Sequence, residues 1–307
     1  MWEQISLPFY LKRKYKNEKY VLLNFTNTAP VFLQNNIVTL HDITFIKFSH
    51  CYSFLFSTYY KLIVPKIIKR AKLIFTVSET VRNEIISHFK IKEEFVAVTY
   101  NAIDTHVFND VQTDNNPWET FFKEHSIGDY ILAVSMFNPI KNLERLIEAF
   151  KIARLKNCKL VIVGDHYKSF KKNKKFLEYR SNPDIVFLGR IDDAKKINGL
   201  YQQAKLFAFP SLYESFGIPP LEAMASGCAT LVSDAGALTE ICKDAAYYIN
   251  PYDIPGIALG LEKIVGDSNL QQELIKKGKE RVQYFNWESS VNVIAQKLTS
   301  LSDKRRE

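Results

Sequence analysis

The chain has 307 residues, is 47% hydrophobic and 24% charged, and carries a formal charge of +8 at pH 7. That length can bury two cores of ordinary size, and the composition excludes a disordered or fibrous chain. No apolar run reaches the roughly 18 residues of a membrane span, and Trp2-Glu3-Gln4 has neither the basic nor the apolar region of a signal peptide, so a cytoplasmic location is expected.

Taken in chain order, a loop is expected at Leu7-Pro8. Strands are expected at 21–24, 36–40, 73–77 and 95–98, with helices at 59–69 and 80–89. A polar stretch at 109–116 reads as a linker. Beyond it, apolar runs at 130–135, 159–163, 184–188, 205–210, 229–233 and 247–250 read as strands. They alternate with helical patterns at 143–155, 192–204, 219–225 and 237–242, and Asn142 stands where an N-cap belongs. A last amphipathic helix is expected over 286–301. Strands that are apolar throughout and separated by helices imply parallel sheets covered on both faces, a doubly wound α/β architecture. The domains are therefore drawn at 1–112 and 113–285, with a terminal helix at 286–307 that returns to the first domain.

The first glycine is Gly128. A glycine-free stretch of that length is unusual for a complete α/β domain, where glycine's share is roughly 7%. The expectation is that the first domain is incomplete, lacking an opening βα-βα unit of roughly 60 residues or more.

The four cysteines, Cys51, Cys158, Cys228 and Cys242, have no metal-ligand spacing and read as free thiols. No HxxxH or DxD pattern occurs, so neither a catalytic metal nor a cofactor is expected. Part of the positive charge lies in Lys12 to Lys19 and part in Lys168 to Lys175. The plainer reading is solvated basic faces. The functional one is attraction to anionic lipid headgroups or to a phosphorylated substrate. The aromatics are not interleaved with the basic residues, which argues against nucleic acid.

The segment FPSLYESFGIPPLEAMASG, residues 209–227, carries most information. A strand should end at Pro210, a loop should carry Glu214, Ser215, Phe216 and Gly217, and Pro219 and Pro220 suit a helix start. Free amides and the dipole there attract phosphate. Gly217 lets the backbone approach a ligand. Glu222, expected in the first turn, could accept hydrogen bonds from both hydroxyls of a ribose, as the acidic residue of dinucleotide folds does. Two glutamates at this spacing mean nothing alone; the strand, loop, glycine and proline around them give the pair its specificity. A plain helix start with a favourable acidic turn is the rival reading.

The segment SMFNPIKN, residues 135–142, leaves the first strand of the second half and enters a helix. Lys141 could set an ammonium on a diphosphate there, with Ser135 and Asn138 beside it. In isolation it would read as a solvated lysine. Ligands of open parallel sheets bind outside the carboxyl ends of the strands, which would bring this loop and the Glu214 loop together.

On these residues the chain resembles the retaining GT-B glycosyltransferases of family 4, and among them bacterial enzymes of polysaccharide assembly, many of them mannosyltransferases. Glu214 and Glu222 match that family's E-x7-E motif. Leu188-Gly189-Arg190, 201–204 and Thr239-Glu240 match in the second half, and VTLHDI (38–43), TVSE (76–79) and YNAID (100–104) in the first. The resemblance implies two Rossmann-like domains facing a cleft. It implies that Glu214 lies near the donor sugar and that Glu222 holds the ribose. Lys141 and the amides of Phe216, Gly217 and Ile218 would stabilise the departing diphosphate, and His41 would lie near the reacting face. By residues alone His41 would read as a strand-end histidine bracing a loop. Where the family often has an arginine before the lysine, this chain has Ser135, Met136 and Ile140.

The implied reaction moves a hexose, with GDP-mannose the leading donor, to a saccharide or lipid-linked acceptor, with retention and without metal, on the cytoplasmic side of a membrane. The rivals are a nucleotide-sugar-binding module or split-enzyme subunit, an epimerase on the same architecture, and a basic adaptor that binds no nucleotide.

Overall fold

The structure is a computed structural model, and it describes residues 2–111, 118–165 and 174–303. It divides into two compact units, 1–101 with 288–307, and 102–287. The first break falls earlier than the 112 boundary drawn from composition, for a physical reason. Residues 102–111 are tied to the second unit: the Asn109 amide donates to Asn198 Oδ1, Gln202 Nε2 donates to the Asn109 carbonyl, and Phe108 packs edge-on to Tyr201. Residues 112–116 of the expected linker, and 168–173 of the second basic tract, lie outside the described residues.

The first unit opens with helix where a loop was expected. A π-helical turn, Trp2–Ser6, runs into α1 (Leu7–Lys14). Pro8 stands in the first turn, where its missing N–H costs nothing. There follow β1 (Leu22–Asn24), β2 (Asn36–Thr39), α2 (Thr44–Lys47), α3 (Phe54–Arg70), β3 (Leu73–Thr76), α4 (Glu79–Phe89) and β4 (Val96–Val98). The four strands form one parallel sheet in the order β1-β2-β3-β4. Side chains alternate across it. Val38, Ile74 and Val96 face Ile63, Ile67, Val81 and Ile85 of the flanking helices.

The second unit contains α5 (Glu119–Glu124), β5 (Asp129–Val134), α6 (Leu143–Ile152), β6 (Cys158–Val163), α7 (Lys174–Ser181), β7 (Ile185–Gly189), α8 (Ala194–Gln203), β8 (Leu206–Phe209), α9 (Ile218–Ala225), β9 (Thr230–Ser233), α10 (Leu238–Cys242), β10 (Tyr247–Ile249), α11 (Ile254–Gly266) and α12 (Ser268–Val282). Its six parallel strands run in the order β10-β9-β8-β5-β6-β7. The chain starts at β5 in the middle, builds outward through β6 and β7, then returns to β8 on the other side. The neighbouring pair β5 and β8 is therefore the point where strand order reverses, the topological switch point of a doubly wound sheet. One face packs on α6, α11 and α12 through Leu146, Ile147, Ile257, Leu261 and Leu274. On the other face Tyr130 of β5 donates to the Leu200 carbonyl, and Phe207 of β8 meets Tyr201 of α8 edge-on at 5.2 Å.

The last helix, α13 (Trp287–Asp303), covers the second face of the four-stranded sheet. Ile294, Leu298 and Leu301 pack on Ile37, Leu73, Phe75 and Ala97, and Ser290 donates to the Tyr100 carbonyl. Among the described residues no helix is long and apolar enough to cross a membrane.

Candidate functional site

The loops that leave β5 and β8 are built to lie side by side. After β5, Ser135 donates its amide to the Val163 carbonyl, and Gly164 at the end of β6 has φ +150. A Cβ there would collide with the Ser135 carbonyl, so the two exits touch through backbone alone. The Asn138 side chain accepts the Ile140 amide at 2.8 Å and closes a 3-10 turn, Pro139–Lys141. The carbonyl of Ile140 accepts the Leu212 amide at 2.7 Å, which joins this turn to the loop after β8.

Asn142 occupies the N-cap position of α6 but does not cap it. Its backbone is left-handed, φ 58 and ψ 26, whereas a capping side chain needs an extended backbone. The side-chain amide donates instead to the carbonyls of Pro210, at 3.0 Å, and Pro251, at 2.7 Å, and Arg145 donates to its oxygen at 2.8 Å.

This framework sets the Lys141 ammonium 2.6 Å from Glu214 Oε1. The side chains are 26% and 11% exposed, and the ammonium also sits 5.3 Å from the centre of the Phe209 ring. The backbone of Glu214 is held as tightly. Its carbonyl accepts the Ala237 amide at 2.8 Å, and Gly236, at φ 61, leaves no room for a Cβ against it. Gly217 has φ +107, and a Cβ there would lie 2.7 Å from Leu238 Cδ2. Phe216 is buried edge-on against Phe285 at 5.5 Å. Ser215 lies half-buried between Glu214 and Phe216, and Ile218 is the first residue of α9.

Glu222 does not stand in the first turn of α9, as expected, but one turn further in. The two prolines fill the first turn, which moves the carboxylate back toward α8. There the Tyr201 hydroxyl donates to Glu222 Oε2 at 3.2 Å. Burial pushes Glu222 up to about 7, and the tyrosine hydrogen bond acts in the opposite direction. Among the described residues, two buried side-chain oxygens have no partner, Ser135 Oγ and Ser211 Oγ. They stand just past the ends of β5 and β8.

His41 belongs to the other unit. It follows β2, its amide donates to Asn27 Oδ1 at 2.7 Å, and its Nε2 lies 3.0 Å from the Phe25 carbonyl. The neighbouring Asp42 braces the same loop: its Oδ1 accepts the amide and the hydroxyl of Thr44. The histidine is thus placed at the carboxyl ends of β1 and β2. Among the described residues no group of three acidic, histidine or cysteine side chains could hold a metal ion.

The residues that sequence reasoning passed over are Tyr201 as a partner of Glu222, Ser211, and the glycines 164 and 236. Tyr201 was visible as part of a matching segment, 201–204, but nothing in its spacing tied it to a glutamate on another helix.

Residues 118–281, just over half of the chain, match the model for glycosyl transferases group 1, and residues 3–107 match that for glycosyltransferase family 4. The O-antigen chain mannosyltransferase RfbU of Salmonella typhimurium is 28% identical over 240 residues, covering 78% of this chain and 63% of that protein. The serotype-specific mannosyltransferase WbdA of Escherichia coli is 29% identical over 251 residues, covering 78% of this chain and 30% of that protein. The chain thus spans less than two thirds of the length of these relatives. Among solved structures, WaaG, a glycosyltransferase involved in lipopolysaccharide biosynthesis, superposes with a TM-score of 0.73 at 18% identity, covering 94% of this chain and 79% of that one. Anabaena Alr3699/HepE in complex with UDP gives 0.72 at 19%, covering 86% and 72%. Those likenesses show a shared GT-B fold. With the family model spanning the whole β5–β8 site, the chain belongs to the glycosyl transferases group 1 family.

Proposed function

We propose that this chain transfers a hexose, with mannose the leading candidate, from a nucleoside-diphosphate sugar to a saccharide or lipid-linked saccharide in the synthesis of a cell-surface polysaccharide. The observation that carries the reading is the ammonium of Lys141 beside Glu214 at the β5–β8 switch point, with Glu222 in the helix that follows. Two relatives that are O-antigen chain mannosyltransferases and one that is a serotype-specific mannosyltransferase support the sugar and the product class.

In this reading the diphosphate lies against Lys141 and the amides of Phe216, Gly217 and Ile218, and the dipole of α9 adds to their field. Glu222 holds the ribose and Glu214 meets the sugar. The acceptor hydroxyl attacks the anomeric carbon from the face the diphosphate leaves. The new C–O bond forms as the bond to the diphosphate breaks, a diphosphate oxygen takes the hydroxyl proton, and the configuration is retained. Preorganised donors stabilise the leaving charge, so no metal is required.

The test is transfer of radiolabel from GDP- and UDP-hexoses to lipid-linked oligosaccharide, run beside direct measurement of nucleotide binding. Lys141→Ala and Glu214→Ala should each lower transfer at least ~10²-fold. Wild-type rates in both variants refute the site. Binding without transfer or donor hydrolysis makes the chain a nucleotide-sugar-binding module, and a changed sugar without acceptor makes it an epimerase.

We further propose peripheral contact with an anionic membrane through the first unit. Exposed Trp2, Ile5 and Phe9 lie on the same opening helical segment as Lys12, Arg13 and Lys14.

A further inference from the structure

Glu222 is gripped by one residue. Tyr201 is fully buried in α8, its ring edge-on to Phe207 at 5.2 Å and to Phe108 at 6.2 Å, and its hydroxyl donates to Glu222 Oε2 at 3.2 Å. The second carboxylate oxygen has no hydrogen-bond partner among the described residues. The backbone is pinned separately: Ser226 donates its amide to the Glu222 carbonyl at 3.0 Å, and its hydroxyl lies 2.6 Å from Asn198 Oδ1 of α8. The helix therefore does not depend on the tyrosine hydroxyl for its place, and that hydroxyl acts on the carboxylate alone.

We infer that Tyr201 is a positioning residue for the nucleotide, holding one oxygen of Glu222 so that the other is presented, ionised, to the ribose. A phenol that donates to a carboxylate favours the charged form and fixes its plane. A charged carboxylate accepts from both ribose hydroxyls, while a protonated one must spend an oxygen as a donor.

Other charges on the elements packed against α9 do not compete for this role. On α12, Lys279 pairs with Asp110, Arg281 donates to the carbonyls of Glu240 and Ile241, and Lys277 pairs with Glu273 and Asp244. Lys276 and Glu280 on α12, and Lys195 and Lys196 on α8, are exposed. The Cys228 thiol is buried and directed at backbone carbonyls, and β8 and β9 carry no ionisable side chain. Burial and the tyrosine are the two influences that set Glu222.

The inference rests on the reading of Glu222 as the ribose ligand, and the experiment separates the two. Affinities of GDP and UDP, and of their 2′,3′-dideoxy analogues, are measured calorimetrically from pH 6 to 9. The ratio of ribo to dideoxy affinity cancels the titration of the phosphates. In the wild type the ratio should rise with pH to a plateau. In Tyr201→Phe the rise should shift up by about one pH unit, the worth of a hydrogen bond to a charged group. The ratio then falls about 5-fold at pH 7 and recovers by pH 9. Tyr201→3-fluorotyrosine, a stronger donor of nearly the same shape, should move the midpoint the other way, which keeps the test alive if the phenylalanine variant folds poorly. Superimposable profiles for wild type and both variants would leave Tyr201 a packing residue and overturn the inference alone. A wild type that binds ribo and dideoxy forms equally at every pH overturns the role of Glu222, and the inference with it.

Discussion

Replacing Glu214 by glutamine should move nucleotide affinity and sugar transfer in opposite directions. In the ligand-free protein the Lys141 ammonium is engaged by Glu214 at 2.6 Å, so a diphosphate must draw it away or share it. At that distance the Coulomb attraction is roughly 6 kcal/mol for an effective dielectric near 20. Desolvation of two largely buried groups offsets most of that, leaving a net pairing of about 1–2 kcal/mol. Glu214→Gln keeps the shape and leaves the backbone contact with Ala237 in place. It removes only the charge that holds the lysine, and affinity for a free nucleoside diphosphate should tighten about 5- to 30-fold. Transfer should still fall about 10²-fold, since the carboxylate is assigned to the sugar and not to the diphosphate. Calorimetry with GDP or UDP gives the first number and radiolabel transfer the second. Lys141→Ala should weaken both. Weaker diphosphate binding in Glu214→Gln, or unchanged binding in Lys141→Ala, would refute the competition.

Gly236→Ala should lower stability by about 2 kcal/mol or more, because φ is 61 and a Cβ would strike the backbone of Glu214; thermal denaturation reads it. Glu222 titrates near 7 in the folded chain against an ordinary value of 4.5. Between those values the folded form holds a proton that the unfolded form has lost, so ligand-free stability should fall as pH rises from about 4.5 to 7, by at most about 3 kcal/mol. Glu222→Gln should flatten that slope in denaturant titrations, and an unchanged slope would contradict the burial argument. His41→Ala should reduce transfer while leaving nucleoside diphosphate affinity as it was; loss of binding would place the histidine in a different role. The chain should sediment with vesicles containing anionic lipid and not with neutral ones, and replacing Trp2 and Phe9 by alanine should weaken the effect.

Much of the second unit was legible because its strands are short apolar runs with helical periods between them. The expected strand at 159–163 is Cys158–Val163 in the structure, and that at 205–210 is Leu206–Phe209. The two helices Ile254–Gly266 and Ser268–Val282 were passed over although Asp253 and Asp267 cap them. The first is apolar almost throughout, and the second carries a sparse stripe, Leu270, Leu274, Ile275 and Val282, thinned by Gly278 and set among many charged residues. The opening helix is hidden because Leu7-Pro8 reads as a loop by residue type, whereas Pro8 stands in a first helical turn. At the site, residue types were readable but pairings were not. Lys141 and Glu214 meet only because the chain returns to β8 beside β5, and no local period encodes that return. Asn142 reads as a cap because cap residues are recognised by type, whereas its role follows from a left-handed backbone that type alone does not reveal.

Asn142 has a consequence for anyone redesigning this protein. A single amide spans carbonyls contributed by segments 68 and 109 residues further along the chain, so three connections share one fastener. Grafting any one of them from a relative would release the other two. Such exchanges should succeed only as a set, or with that asparagine and its carbonyl partners carried across together.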